Sequence, residues 1–128
     1  MDCEKFDILR VRRMNKYCIR MDYTIKEAIE CIDASKNRAA IVLDDNSKVA
    51  GIISQGDIIR ALSSGKNLYT RVDSMIRSDF LYMNEKNMKK AYALFRKTKI
   101  TLMPIVDENF YLIDIINMDD IYEYMEAK

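Results

Sequence analysis

The residues best placed to do chemistry are a hydroxyl and a carboxylate, Ser54 and Asp57, within Gly51-Ile52-Ile53-Ser54-Gln55-Gly56-Asp57-Ile58. Ser54 falls at the end of an apolar strand and Asp57 in the first turn of the helix that follows. Exposed N–H groups and the dipole at a helix start favour anions such as phosphate. A serine hydroxyl there donates to a phosphate or ribose oxygen. An aspartate accepts two hydrogen bonds from a ribose diol, and charge-assisted bonds are the stronger kind. Gly51 would let a ligand approach the backbone. The set suits a nucleotide lying across the ends of a sheet. A plainer reading stands beside it: Ser54 as an N-cap and Asp57 as an acid helping the dipole.

Other chemistries find little support. The chain has no His, which removes imidazole bases, His-based triads and His/Cys zinc sites. Its three Cys (Cys3, Cys18 and Cys31) are odd in number and match no metal spacing, so they read as free thiols in a reducing compartment. No base or orienting group is evident for a Cys18 or Cys31 nucleophile, and Asp119 and Asp120, adjacent at a helix start, point apart. No catalytic residue is assigned. The 128 residues (15.0 kDa) fit one compact domain or two small interlocked halves. Lys+Arg number 21 against 20 Asp+Glu, a net charge of +1, which argues against a general nucleic-acid binder. No apolar run approaches the ~20 residues of a membrane span. Asp2, Glu4 and Lys5 follow Met1, unlike a signal peptide. A cytoplasmic module is the expectation. The basic run Arg10, Arg12, Arg13, Lys16 and Arg20 reads as a solvated face or a phosphate contact.

The elements that position Ser54 and Asp57 occur twice. An offset of 63 residues carries Asp57 onto Asp120, Ile58 onto Ile121, Ile52-Ile53 onto Ile115-Ile116, Asp44 onto Asp107, Ala28 onto Ala91 and Lys36 onto Lys99. Ile25, Ala28, Ile29 and Ile32 fall on Met88, Ala91, Tyr92 and Phe95, both sets marking one face of a helix. Each half reads as a short extended segment (Tyr17–Arg20; Phe80–Met83) and a helix, the first opening on a Thr24/Glu27 capping box. An apolar strand (Ala39–Leu43; Leu102–Val106), a polar turn, a returning strand (Val49–Ile53; Tyr111–Ile116) and a last helix complete it. The expected fold is α/β (α+β): two pseudo-symmetric β-α-β-β-α repeats packed sheet to sheet. The divisions are an N-terminal segment (1–14, strand or helix left open), repeat 1 (15–65), a connector (66–79) with Leu68, Val72, Met75 and Ile76 at helical spacing, and repeat 2 (80–128).

This arrangement resembles a tandem pair of CBS domains, a Bateman module. Gly51 to Ile58 fits that family's glycine, two apolar residues, Ser/Thr, two free positions and Asp. Met103-Pro104-Ile105-Val106-Asp107 fits its apolar-Pro-Val-Val-Asp stretch. The resemblance covers about Asn15 to Met125. Gly51–Leu62, Gly65-Lys66-Asn67-Leu68, Val72 and Met75 look most like the pair ahead of sugar-phosphate nucleotidyltransferase domains, although the catalytic domain is absent. The resemblance implies a regulatory module that needs no cofactor, binds an adenine nucleotide (AMP, ADP or ATP) between its repeats, forms a homodimer and controls a partner or fused domain. The alternative is a ligand-free dimerisation scaffold, with Ile59, Leu62, Tyr122 and Met125 as the helical face. It further implies that Ser54 and Asp57 share a cleft with Asp79, Phe80, Ile100, Thr101 and Leu102. Asn117 and Asp120 would share a second with Lys16, Tyr17, Asn37, Arg38 and Ala39, Arg38 reaching a phosphate. The second motif departs from the pattern: Asp114 replaces Gly, Asn117 replaces Ser/Thr, and Asp119 adds a charge that opposes a polyphosphate.

Overall fold

The computed structural model describes residues 8–77 and 79–127. Helix α1 (Ile8–Asn15) opens the described chain, followed by β1 (Cys18–Arg20), α2 (Ile25–Ser35), β2 (Ala39–Leu43), β3 (Val49–Ser54) and α3 (Gln55–Ser63). After the connector come α4 (Met88–Thr98), β4 (Leu102–Val106), β5 (Leu112–Asn117) and α5 (Met118–Glu126). The N-terminal segment thus resolves as a helix over its described part; Phe6 lies outside the described residues. No helix among those described is long and apolar enough to cross a membrane.

The repeat is written into the backbone as well as the sequence. Lys36 and Lys99, 63 residues apart, end α2 and α4 in the left-handed region, at φ 55° and 60°. Ser47 and Phe110 share the same relation, at φ 64° and 66°. Asp44 Oδ1 accepts from Asn46 and Lys48 N–H at 2.9 and 3.0 Å, and Asp107 Oδ1 accepts from Asn109 and Tyr111 N–H at the same two distances. Such aspartate turns fix the hairpin between the antiparallel strands. Irregularities in pairing fall at Val42/Leu43 and at Ile105/Val106, also equivalent positions.

Repeat 1 holds a three-stranded sheet in the order β1-β2-β3, with β1 parallel to β2 and β2 antiparallel to β3. Repeat 2 pairs β4 with β5. The strand expected over Phe80–Met83 shrinks to one parallel bridge, Met83 to Ile105. Phe80 and Tyr82 instead pack their rings against Phe110, with centroids 6.5 and 5.0 Å apart. Among its described residues the connector carries only a 3₁₀ turn at Val72–Ser74. Its backbone is engaged elsewhere. The carbonyls of Thr70 and Leu68 accept from Ile25 and Lys26 N–H at 2.9 Å, groups left unpaired at the start of α2.

Both central strands are buried on two faces, which explains their unbroken apolar runs. Ala40 and Val42 of β2 face α2 and α3 among Ile25, Ala28, Ile32, Ile53 and Ile58. Ala39 and Ile41 face the other way, into a core shared with Leu102, Val106 and Ile115 of repeat 2, with Met14 of α1 and with Tyr17 just after it. In β4, Met103 and Ile105 face Ala91, Phe95 and Ile121. Each repeat therefore has its own helix-covered core, and a third core joins the sheets. The halves are also hydrogen-bonded. The Asn37 amide donates to Thr101 O at 3.1 Å, and the Thr101 hydroxyl donates to Asn37 Oδ1 at 2.7 Å. Val49 N–H donates to Phe110 O at 2.8 Å.

Candidate functional site

Ser54 is both the last residue of β3 and the N-cap of α3. Its hydroxyl accepts from Asp57 N–H at 3.1 Å, while Asp57 Oδ2 accepts from Ser54 N–H at 2.8 Å. This reciprocal capping box is the structural role that stood beside the ligand role in the sequence. It also fixes both side chains at the mouth of a cleft. Asp57 Oδ1 accepts from Arg60 Nη2 at 2.8 Å. Burial alone would raise the Asp57 carboxyl. Hydrogen bonds with Ser54, the backbone one foremost, and with Arg60 outweigh it and hold the carboxyl below its ordinary value of 3.8. At neutral pH Asp57 is a carboxylate, an acceptor only.

The cleft beside this pair measures about 540 Å³, within the range that holds a small ligand, roughly 300–1,000 Å³. Ser54 and Asp57 form one wall; Asp79, Phe80, Ile100, Thr101 and Leu102 of the second half form the other. The seven residues that the sequence reading grouped here are therefore brought together. Arg38 and Ala39, placed by that reading in the second cleft, line this one instead. The hairpin explains it. Ala39 pairs with Ser54 across β2 and β3, and Gln55 N–H donates to Arg38 O at 2.8 Å. The start of β2 must lie beside the end of β3.

Arg77 and Lys99 also line the cleft, and the sequence reading did not single them out. With Arg38 they bring three cations toward Asp57 and Asp79. Among the described residues none of the three side chains forms an ion pair, so the rim suits an anion. A signal for Arg77 lay in Gly51. A Cβ there would fall 2.9 Å from Arg77 O and 3.3 Å from Ile76 Cβ. The glycine makes room for the connector backbone, not for a ligand as expected, and so delivers Arg77 to the rim. Lys99 is brought in by the left-handed turn that ends α4.

The second motif is built alike and surrounded differently. Asn117 caps α5, accepting from Asp120 N–H at 2.9 Å, and Asp120 Oδ2 accepts from Asn117 N–H at 2.9 Å. The Asn117 amide donates to the Tyr17 hydroxyl at 2.8 Å, a buried contact. Arg13 of α1 pairs with Asp120. Its Nε lies 3.8 Å from Asp114, and Lys86 Nζ lies 3.7 Å from the same carboxylate. Of the residues expected here, Tyr17 meets Asn117, while Asn37 is bonded to Thr101 and Lys16 Nζ lies 5.2 Å over the Tyr17 ring.

The two described thiols, Cys18 and Cys31, offer no ready nucleophile. Burial, aided by Cys31, pushes Cys18 up to about 12, and burial raises Cys31. Cys18 Sγ donates to Met14 O at 3.3 Å and Cys31 Sγ to Lys16 O at 3.4 Å, joining the end of α1 to β1 and α2. Cys3 lies outside the described residues. No group of three or more Cys, Asp or Glu side chains among those described is placed to hold a metal ion.

Comparison with known proteins agrees with the doubled architecture. Inosine-5'-monophosphate dehydrogenase of Nitrosopumilus maritimus is 27% identical over 121 residues, covering 90% of this chain and 25% of its own length. Arabinose 5-phosphate isomerase GutQ of Escherichia coli O6:H1 is 35% identical over 83 residues, covering 64% of this chain and 26% of its own. The chain thus spans about a quarter of the curated relatives it matches. Among solved structures, CBSX2 in complex with AMP superposes with a TM-score of 0.73 at 21% identity, covering 90% of each chain. A CBS domain protein from Pyrobaculum aerophilum complexed with AMP gives a TM-score of 0.68 at 16% identity, covering 87% of this chain and 91% of that one. The CBS domain family model matches residues 7–64 and again 74–127, and the chain belongs to that family as a tandem pair.

Proposed function

We propose that the chain is a ligand-sensing regulatory module that binds an adenine nucleotide (AMP, ADP or ATP) in the Ser54/Asp57 cleft and reports its occupancy to a partner or fused domain. One observation carries the reading. An ionised carboxylate and a helix start from repeat 1 face an apolar and aromatic wall from repeat 2 across a cleft of about 540 Å³ rimmed by Arg38, Arg77 and Lys99. Asp57 would accept the ribose hydroxyls, Ser54 would bond a ribose or phosphate oxygen, and Phe80, Ile100 and Leu102 would cover the base. The cations would take the phosphate. AMP in the similarly folded CBSX2 supports the ligand class. An enzyme domain is one such partner. The Gly51–Met75 stretch supports a sugar-phosphate nucleotidyltransferase, and the relatives supply a dehydrogenase and an isomerase as other contexts. Occupancy reaches such a domain only if the nucleotide binds two states of the module with different affinity. Calorimetry with AMP, ADP, ATP and S-adenosylmethionine tests the reading. Saturable heat with an adenine nucleotide, lost in Asp57→Ala, is expected; no heat with any of the four at millimolar concentration overturns it.

A second reading, an interaction scaffold, is favoured by one surface. A groove of about 830 Å³ is lined by Ile29, Ile32, Ile58, Ile59 and Leu62 of α2 and α3, with a polar rim that includes Glu30, Asp33, Lys36 and Arg38. Ile59 is 59% exposed, and Tyr122 and Met125 of α5 are 54% and 47% exposed. Clusters of exposed apolar side chains mark association surfaces. Light scattering is expected to show a dimer held through these helices; a monomer at high concentration removes this reading.

A further inference from the structure

The substitutions that make the second motif look degraded have a common neighbour, helix α1. Asp114 stands where the first repeat has Gly51, 63 residues earlier, and Arg13 stands at the position equivalent to Ile76. In repeat 1, Ile76 packs onto Gly51. In repeat 2, Arg13 approaches Asp114 and pairs with Asp120. Its guanidinium also donates to Ile115 O at 3.4 Å, so it spans the end of β5 and the start of α5. The second substitution follows the same logic. Tyr17 is equivalent to Phe80 of the first cleft, and its hydroxyl receives the amide of Asn117, which replaces Ser54. Tyr17 is 3% exposed and Asn117 5% exposed, so this contact closes the space that stays open beside Phe80.

We infer that α1 is the resident occupant of the second cleft, locked there by Arg13 on Asp120 and Asp114, and that the pair takes one nucleotide per chain. The guanidinium N–H groups take the place on Asp120 that the O–H donors of a ribose diol would otherwise fill, and a planar fork matches a carboxylate well. Arg13 and Lys86 are engaged by Asp114 and Asp120, so these cations are already committed where a phosphate would need them. Tyr17 and Asn117 fill the space a sugar would need. The second cleft is thus an internal joint that fastens the N-terminal helix to repeat 2. The count of one nucleotide rests on the proposed reading of the first cleft; the lock does not.

Two measurements on the full chain test the inference separately. Hydrogen exchange, followed by mass spectrometry over residues 8–17, is compared in the wild type, Arg13→Gln and Arg13→Lys. Exchange at least tenfold faster in Arg13→Gln is expected, with Arg13→Lys between and the 52–62 segment unchanged. Equal protection in all three variants overturns the lock. Calorimetry with AMP gives the count. One site per chain in the wild type is expected, and two sites overturn the inference. Absence of AMP heat together with fast exchange in Arg13→Gln sinks the nucleotide reading and its count, and upholds the lock.

Discussion

Arg60 Nη2 lies 2.8 Å from Asp57 Oδ1, so the carboxylate facing the first cleft already holds a cation from its own helix. The Arg60 side chain is 67% exposed and that of Asp57 26%. An exposed pair of this kind contributes little to stability, and a ribose diol competes with it for the same oxygen. Arg60→Ala is expected to leave the melting temperature within a degree or two and to tighten AMP binding about two- to fivefold. Asp57→Asn keeps an oxygen for the cap but loses the charge, and is expected to weaken AMP about tenfold or more, near 1.4 kcal/mol. Calorimetry on the two variants decides; a weaker Arg60→Ala would mean that Arg60 turns to the phosphate.

The depressed Asp57 carboxyl sets a pH window. Its native pKa lies below the ordinary 3.8, so its contribution to stability is complete above about pH 5 and is lost as the pH falls through the native value. The difference in melting temperature between wild type and Asp57→Asn is expected to stay constant from pH 8 to about 5 and to shrink below about 4. A difference that changes between pH 6 and 8 would contradict the assignment.

Gly51→Ala presses a methyl group against Arg77 O, 2.9 Å away. Backbone cannot move aside as a flexible side chain can, so a cost of about 1–3 kcal/mol is expected. Because Arg77 lines the cleft, AMP binding should weaken as well. Denaturant unfolding and calorimetry read the two effects; an unchanged midpoint would show that the connector shifts freely.

Lys36 ends α2 at φ 55°, a conformation natural to glycine. Relieving the strain stabilises the native state, while glycine's freedom in the unfolded chain offsets part of it. Lys36→Gly is expected to raise stability by roughly 0.5–1 kcal/mol. Lys99→Gly should do the same and also weaken nucleotide binding, because Lys99 lines the cleft and Lys36 does not. Thermal melts and calorimetry separate the two.

Cys18, pushed up to about 12, is protonated throughout the neutral range. A thiol raised in the native state contributes stability that is complete below the unfolded value, 9.0, and lost as the pH rises toward 12. Stability should therefore fall above about pH 9 more steeply than in Cys18→Ala. Equal slopes would place the thiol in water.

Much of the architecture was legible because the repeat is ungapped and the left-handed positions Lys36 and Ser47 recur with it at Lys99 and Phe110. Thr24 and Glu27 announced the start of α2, and the capping box is present. The walls of the first cleft were legible from family resemblance combined with the hairpin order. Arg38 was misplaced because its partner across the hairpin, Gln55, next to Ser54, outweighs its formal equivalence to Thr101. The helical reading of the connector failed because the start of α2 competes for its carbonyls at Leu68 and Thr70. Arg13 was visible only as one member of a basic run. Its partners lie more than a hundred positions away, and no local pattern announces such a pairing.

Asn37 and Thr101 exchange two hydrogen bonds across the floor between the halves, one residue from Arg38 and from Leu102. This two-bond clasp, with the sheet core shared by the halves, opposes any jaw-like opening. A guest would therefore enter a mould whose two sides are already fastened to each other.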